Sequence, residues 1–250
     1  MKILLTNDDG IFAPGLAALY TRLTSLGDVT VVAPIDGRSG TSHSITFMEP
    51  LVCNKVSIDD RFSGFGVHGS PADCVKLAAM QLHEGPIDLV VSGINHGANV
   101  GINVYYSGTV AAAIEGAFMR IPAVAVSLAS EAVMDFEAAA AHALRVLQAI
   151  GPVPPGEVVN INLPRLSGGP PKGVRVVPQS TNGFQESYVP QTNGPHMGFQ
   201  LSCGLHRPED TVTDTMMLWE RYITVTPLHP DMTCHSRLAG LQERLRPLCD

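Results

Sequence analysis

Apolar positions along the chain recur in two alternating periods. Short, mostly apolar runs at residues 2–6, 29–33, 87–91, 123–128, 158–163 and 222–227 predict buried strands. Between them, residues 14–26, 70–83, 110–119, 135–150 and 236–245 carry apolar side chains at helical spacing. Helix boundaries are marked chemically: Gly27 follows the first helix, and Ser70, Pro71 and Asp73 supply an N-cap, a first-turn proline and a first-turn acid. Strands alternating with helices predict an α/β protein with a mostly parallel sheet covered on both faces by right-handed crossovers.

The pattern is interrupted in two places. Residues 45–65 read as short strands with turns, and 164–210 are rich in Gly, Pro, Asn and Gln with little periodicity, so extended arms or hairpins are expected there. Segments that long without core periodicity serve function or pack on another subunit. The most informative interruption runs from Ser92-Gly93-Ile94-Asn95-His96-Gly97-Ala98-Asn99 to Tyr106-Ser107-Gly108-Thr109, between the strand at 87–91 and the next helix. Loops leaving strand C-termini line the crevice of a parallel sheet, and a helix starting there points N–H groups and its positive dipole end inward. An anion is the expected occupant.

Composition narrows the classes. The 250 residues suffice for one main domain with an appendage, and 45% hydrophobic content fits a globular protein. A net charge of −7, with no basic stripe, argues against a nucleic-acid polymer or an acidic membrane surface as partner. The five cysteines, at 53, 74, 203, 234 and 249, are odd in number and form no Cys-x-x-Cys pair, so neither a disulfide scaffold nor a zinc site is expected. Lys2-Ile3-Leu4-Leu5-Thr6 is too short an apolar run for a signal peptide, and no run approaches the ~20 residues that span a bilayer. A cytoplasmic location is the expectation.

Adjacent acids Asp8 and Asp9 end the first strand. Taken alone they suit a turn acid and a capping acid, but like charges so close also invite a cation. Asp8 and Asp9, Ser39 and Asn95 place oxygen donors on three crevice loops, a set that suits Mg or Mn better than zinc. Ser107-Gly108-Thr109 reads equally as a helix cap and as an anion site. His43, between two serines, is the histidine of most interest, and with Gly40 it is an expected substrate contact. Gly64-Phe65-Gly66-Val67-His68-Gly69 matches a dinucleotide fingerprint in the wrong context, with no good strand before it and a helix only after the third glycine. No Gly-Lys-Ser/Thr occurs, which excludes a P-loop, and Gly37-Arg38-Ser39-Gly40-Thr41 misses the serine-hydrolase elbow by one position.

Several ordered motifs resemble those of the SurE family of survival-protein nucleotidases. They are Leu5-Thr6-Asn7-Asp8-Asp9-Gly10; Ala33-Pro34 with Arg38-Ser39-Gly40 and Ser42-His43-Ser44-Ile45-Thr46; and Gly69-Ser70-Pro71-Ala72-Asp73-Cys74-Val75. Ser92-Gly93-Ile94-Asn95 with Gly97 and Asn99, Tyr106-Ser107-Gly108-Thr109-Val110 and Val225-Thr226-Pro227-Leu228 complete the set. The resemblance implies a Rossmann-like three-layer core over 1–165, and a 166–250 part whose arms exchange between subunits to give a homodimer or homotetramer. It implies one divalent cation per subunit on Asp8, Asp9, Ser39 and Asn95, with phosphate contacts at Asn99, Ser107, Gly108 and Thr109. The implied activity is hydrolysis of nucleoside 5'- and 3'-monophosphates, with short polyphosphate as a further substrate. Water activated by the cation is the expected nucleophile and Asp8 its proton acceptor. An aspartyl-nucleophile phosphatase would want Asp-x-Asp, and Gly10 occupies that place. The alternative reading is a non-catalytic nucleotide or phosphate binder of the same fold.

Overall fold

The chain enters its fold through an apolar strand, β1 (Lys2–Thr6), whose residues Ile3 to Thr6 are fully buried. The computed structural model describes residues 1–38, 40–58, 61–182, 184–193, 196–206 and 211–248. Next in chain order are β2 (Asp28–Pro34), β3 (Cys53–Ile58), β4 (Phe62–Val67), β5 (Leu89–His96), β6 (Ala123–Leu128) and β7 (Val158–Leu163). They are followed by β8 (Val174–Val176), β9 (Phe184–Asn193), β10 (His196–His206) and β11 (Ile223–Leu228). Nine strands form one sheet in the order β3-β4-β2-β1-β5-β6-β7-β11-β8, while β9 and β10 pair antiparallel as a separate hairpin. Neighbouring strands are parallel except β3 with β4 and β11 with β7.

Period-two alternation sends side chains to opposite faces of this sheet. Ile3 and Leu5 join Val91, Val124, Val126 and Ile161 under two helices, α1 (Pro14–Leu23) and α4 (Phe136–Ile150). On the other face Leu4, Val90, Ala123, Ala125 and Val158 pack under α2 (Pro71–Leu77) and α3 (Gly108–Phe118). The three-layer α/β expectation is therefore met, with the sheet mixed at β3 and β11. Subunit exchange is not a property that one chain displays.

The face under α2 and α3 changes character along the strands. Continuing the same alternation, Thr6, Ser92, Ser127, Asn160 and Asn162 succeed the apolar residues toward the strand C-termini, and all five are fully buried. Thr224 and Thr226 of β11 stand beside Asn162 and Asn160. The crevice floor is thus lined by hydroxyls and amides.

Several boundaries differ from the sequence expectation. The polar stretch Ser92 to His96 is strand, with Asn95 beside Ser127 and His96 beside Leu128 after a register shift that follows Ser92. Gly93 makes that shift possible: its φ is +138°, and a β-carbon there would lie 2.3 Å from the Val126 carbonyl oxygen. The helix that opens at Ser70 is α-helical only to Leu77 and continues as one wider turn, Ala78–Leu82. In the C-terminal part, β8 and β11 extend the main sheet, a short helix α5 (Asp214–Trp219) was not expected, and α6 (His235–Leu245) buries none of its residues. Among the described residues, no helix is long and apolar enough to cross a membrane.

Candidate active site

The site begins where β1 ends. Asp8 is 4% exposed, and its main-chain oxygen accepts the Arg38 N–H at 2.7 Å, which draws the second crevice loop against the first. Its carboxylate Oδ1 accepts the Thr109 hydroxyl. Burial raises the Asp8 pKa from 3.8 to about 6; the Thr109 hydrogen bond opposes that rise, and the charge of neighbouring Asp9 adds to it. Asp9 is half-buried, and its Oδ2 accepts the His96 N–H at 2.8 Å, which fastens the acidic turn to the end of β5.

Asn95 immediately precedes that contact. Its amide N–H donates to the Gly97 carbonyl at 2.7 Å, so its oxygen is the end free to act as a donor atom toward a cation. Beyond it, Asn99 donates its side-chain N–H to Ser127 Oγ at 2.8 Å, and Ser127 is the register partner of Asn95. Ser107 is the N-cap of α3 and accepts the Val110 N–H at 3.1 Å, so the capping role holds, and it aims the first turn of α3 at Asp8. Gly108, at the start of α3, closes on the Asp8 side chain, and Pro71 at the start of α2 stands beside Gly108.

The second crevice loop is only partly described, and Ser39 lies outside the described residues. Gly40 is exposed with φ +70°. Ser42 crosses to the turn before α3, its N–H bonding the Tyr106 carbonyl at 3.2 Å and its hydroxyl the Tyr105 carbonyl at 2.7 Å. His43 meets Glu115, about two turns along α3 from its start, at 2.8 Å. Its ring also stacks on Phe118 with centroids 5.4 Å apart. Glu115 is 3% exposed and accepts Lys76 on its other oxygen. Burial disfavours its charge, but the hydrogen bonds and charges of His43 and Lys76 outweigh that and hold the carboxyl below its ordinary value.

Asp8, Asp9, Asn95, Gly108 and Thr109 thus come together, with Asn99 and Ser107 beside them and His43 set apart on Glu115. Among the described residues neither Asp8 nor Asp9 forms an ion pair, and no three His, Cys, Asp or Glu gather as a metal cluster. A cation here would be held by two carboxylates and neutral oxygens. That set fits: a buried acid beside a second acid, both without a basic partner, is what a divalent ion would relieve.

Glu115, Asn160, Asn162 and Ser127 were not singled out from the sequence. The signal available was Asn160-Ile161-Asn162, two amides alternating inside an otherwise apolar strand. The dinucleotide-like glycine motif lies mostly within β4, inside the sheet rather than at a strand-to-helix turn.

The family model "Survival protein SurE" matches residues 3–186. A protein of Syntrophobacter fumaroxidans named 5'-nucleotidase SurE is 44% identical over 245 residues, covering 96% of this chain and 98% of that one. A 5'-nucleotidase SurE of Nitratidesulfovibrio vulgaris is 45% identical over 251 residues, covering 97% of this chain and all of its own. The crystal structure of the SurE protein from Aquifex aeolicus superposes with a TM-score of 0.83 at 35% identity, over 98% of this chain and 99% of that one. With full-length likeness in sequence and in fold, the chain belongs to the survival protein SurE family.

Proposed function

We propose that this chain is a divalent-cation-dependent phosphomonoesterase that hydrolyses nucleoside 5'- and 3'-monophosphates, and short polyphosphate as a side activity. The observation that carries the reading is Asp8, a buried carboxyl with a pKa near 6, set against the first turn of a helix. The relatives' name, 5'-nucleotidase SurE, supports the nucleotide part of it.

Asp8, Asp9, Ser39 and Asn95 would hold one Mg or Mn ion per subunit. When bound, that ion supplies neutralisation of phosphoryl charge and acidifies nearby water. Asp8 is the carboxylate that takes the proton of the attacking water. Ser107 and the first-turn N–H groups of α3, from Gly108 and Thr109, meet the non-bridging oxygens, over which the phosphoryl charge is spread in the transition state. The Thr109 hydroxyl already donates its hydrogen bond to Asp8, so that hydroxyl orients the base and the Thr109 backbone N–H serves the phosphate. Asn99, Gly40 and His43 complete the substrate contacts, His43 from its seat on Glu115. No side chain needs to attack phosphorus, so no phosphoenzyme forms.

All of these residues fall within 1–165, which supports assigning catalysis to that part and assembly to 166–250, as a homodimer or homotetramer through exchanged arms. Free thiols at Cys53, Cys74 and Cys234 suit the cytoplasm.

The test is phosphate release from 5'-AMP, 3'-AMP and tripolyphosphate with Mg, with Mn and with EDTA. Turnover that EDTA abolishes and Mn restores is expected. Saturable nucleotide binding without turnover would instead make the chain a binder.

A further inference from the structure

We propose that Asn160 and Asn162 are positioning residues that hold Asn99 in place for the phosphate; this rests on the reading of Asn99 as a phosphate contact. Both asparagines are fully buried in the central sheet, where an unpaired amide is costly; Asn162 pairs both its polar atoms, and Asn160 pairs its Nδ2 while its Oδ1 has no partner among the described residues. Their bonds converge on one residue of the crevice loop. Asn162 Oδ1 accepts the Asn99 N–H at 2.8 Å, Asn162 Nδ2 donates to the Asn99 carbonyl at 3.1 Å, and Asn160 Nδ2 donates to the same carbonyl at 2.8 Å.

The neighbours in that loop are held differently. Gly97 donates its N–H to the Leu128 carbonyl at 2.8 Å, and Gly101 donates its N–H to Asp214 at 3.0 Å. Only Asn99 has both backbone groups seated on side chains of β7, and Ser127 of the adjoining β6 takes one N–H of its amide. Asn162 and Ser127 are themselves register partners, so the seat is built on two hydrogen-bonded strands of a sheet covered on both faces. With backbone and one amide N–H fixed, the second amide N–H has a set direction before any phosphate arrives. A donor whose orientation is settled in advance binds without paying for it at the moment of encounter.

Alignment of this kind has a signature that mere loop stability lacks. Asn99→Ala, Asn162→Leu, Asn160→Leu and the double variant Asn99→Ala/Asn162→Leu are compared for KM and kcat with 5'-AMP, for calorimetric affinity toward inorganic phosphate in Mg buffer, and for melting temperature. Asn99→Ala is expected to raise KM and weaken phosphate binding about tenfold, the effect of losing one hydrogen bond to a charged group. Asn162→Leu should do nearly the same, Asn160→Leu should do less because two of the three bonds remain, and the double variant should be no worse than Asn99→Ala.

Asn162→Leu and Asn160→Leu variants with lowered melting temperature but unchanged KM and phosphate affinity would overturn the proposal. So would losses that multiply in the double variant, because independent effects multiply and a shared one does not. If Asn99→Ala leaves both quantities unchanged, the assignment of Asn99 itself is wrong, and the proposal falls with it. Should Asn162→Leu fail to fold, Asn160→Leu carries the same comparison in the Asn99→Ala background.

Discussion

A β-carbon placed on Gly108 would lie 2.8 Å from the Asp8 β-carbon and 3.1 Å from its Oδ2. The first turn of α3 and the acidic turn after β1 therefore approach as closely as two backbones with one side chain between them can. Pro71 at the head of α2 closes the third side, 3.1 Å from the same point. None of the three is a flexible chain end, so an added methyl group moves Asp8.

Gly108→Ala is accordingly expected to lower kcat with AMP by about 10²-fold, the scale associated with an ångström of misplacement at a reacting group. Overpacking of this kind also costs about 1–3 kcal/mol of stability. Steady-state kinetics beside a melting curve checks both. A variant with kcat near the parent value would show that the α3 start does not set the Asp8 geometry.

The proton balance at Asp8 predicts opposite pH trends with and without a divalent ion. Its folded pKa is raised from 3.8 to about 6, so between these values the folded protein holds a proton that the unfolded chain releases. In EDTA, the stability this group contributes is present below pH 3.8 and lost as pH rises through about 6. A cation needs the carboxylate, so the rise in melting temperature on adding Mn should be small at pH 5 and large at pH 7, with affinity falling about tenfold per unit below pH 6. Asp8→Asn should abolish that rise, melt higher than the parent in EDTA at pH 7, and lose at least about 10²-fold in turnover. A Mn effect that persists in Asp8→Asn would remove Asp8 from the ligand set.

Glu115, held between His43 and Lys76, titrates in the other direction. Glu115 is held below its ordinary 4.5, so its stabilising contribution is complete above that value and lost as pH falls through the lowered one. Glu115→Gln should flatten the acid side of the stability curve below pH 4.5. Because Lys76 and His43 are partly exposed, the loss at pH 7 should be about 1–2 kcal/mol, well below that of a fully buried pair. Thermal melts from pH 3 to 7 decide it. The same variant should raise KM for AMP more than it lowers kcat, since His43 anchors the loop that carries Gly40 and Ser42.

Much of this site was legible from residue types, because apolar runs ending in Asp, Asn and Ser mark strand ends in a parallel sheet. Asp8, Asp9 and Asn95 were read as candidates that way, and Thr109 from its place at the start of a helix. The strand character of Ser92 to His96 was hidden because its polar residues Ser92 and Asn95 are buried beside other polar groups, and composition alone cannot tell such a strand from a loop. Asn160 and Asn162 escaped notice for a related reason: their partner Asn99 is 61 and 63 residues away, so only the fold shows what they bond. Glu115 carries no signal in the sequence because its partners, Lys76 of α2 and His43 of the second crevice loop, reach it only through the fold. The six-residue helix α5 was too short for its apolar spacing to register.

The C-terminal elements predict assembly. α6 is an 11-residue helix with no buried residue, and Leu238 and Leu241 are 50% and 47% exposed along one side of it. Isolated helices shorter than about 12–15 residues are marginal in water, so this one needs a surface to pack on. The β9–β10 hairpin likewise presents Tyr188, Met197 and Phe199 to solvent at 69%, 81% and 58%. Two apolar surfaces in one chain region, at the far end of the sequence from the acidic turn, point to a second copy as the cover. Sedimentation at micromolar concentration should give a dimer or tetramer, with a melting temperature that rises with protein concentration. Leu238→Glu with Leu241→Glu, and separately Phe199→Glu, should each shift the distribution to smaller species while the α/β core stays folded by circular dichroism. A parent protein that sediments as a monomer with α6 still protected from hydrogen exchange would show that the helix finds its surface within its own chain.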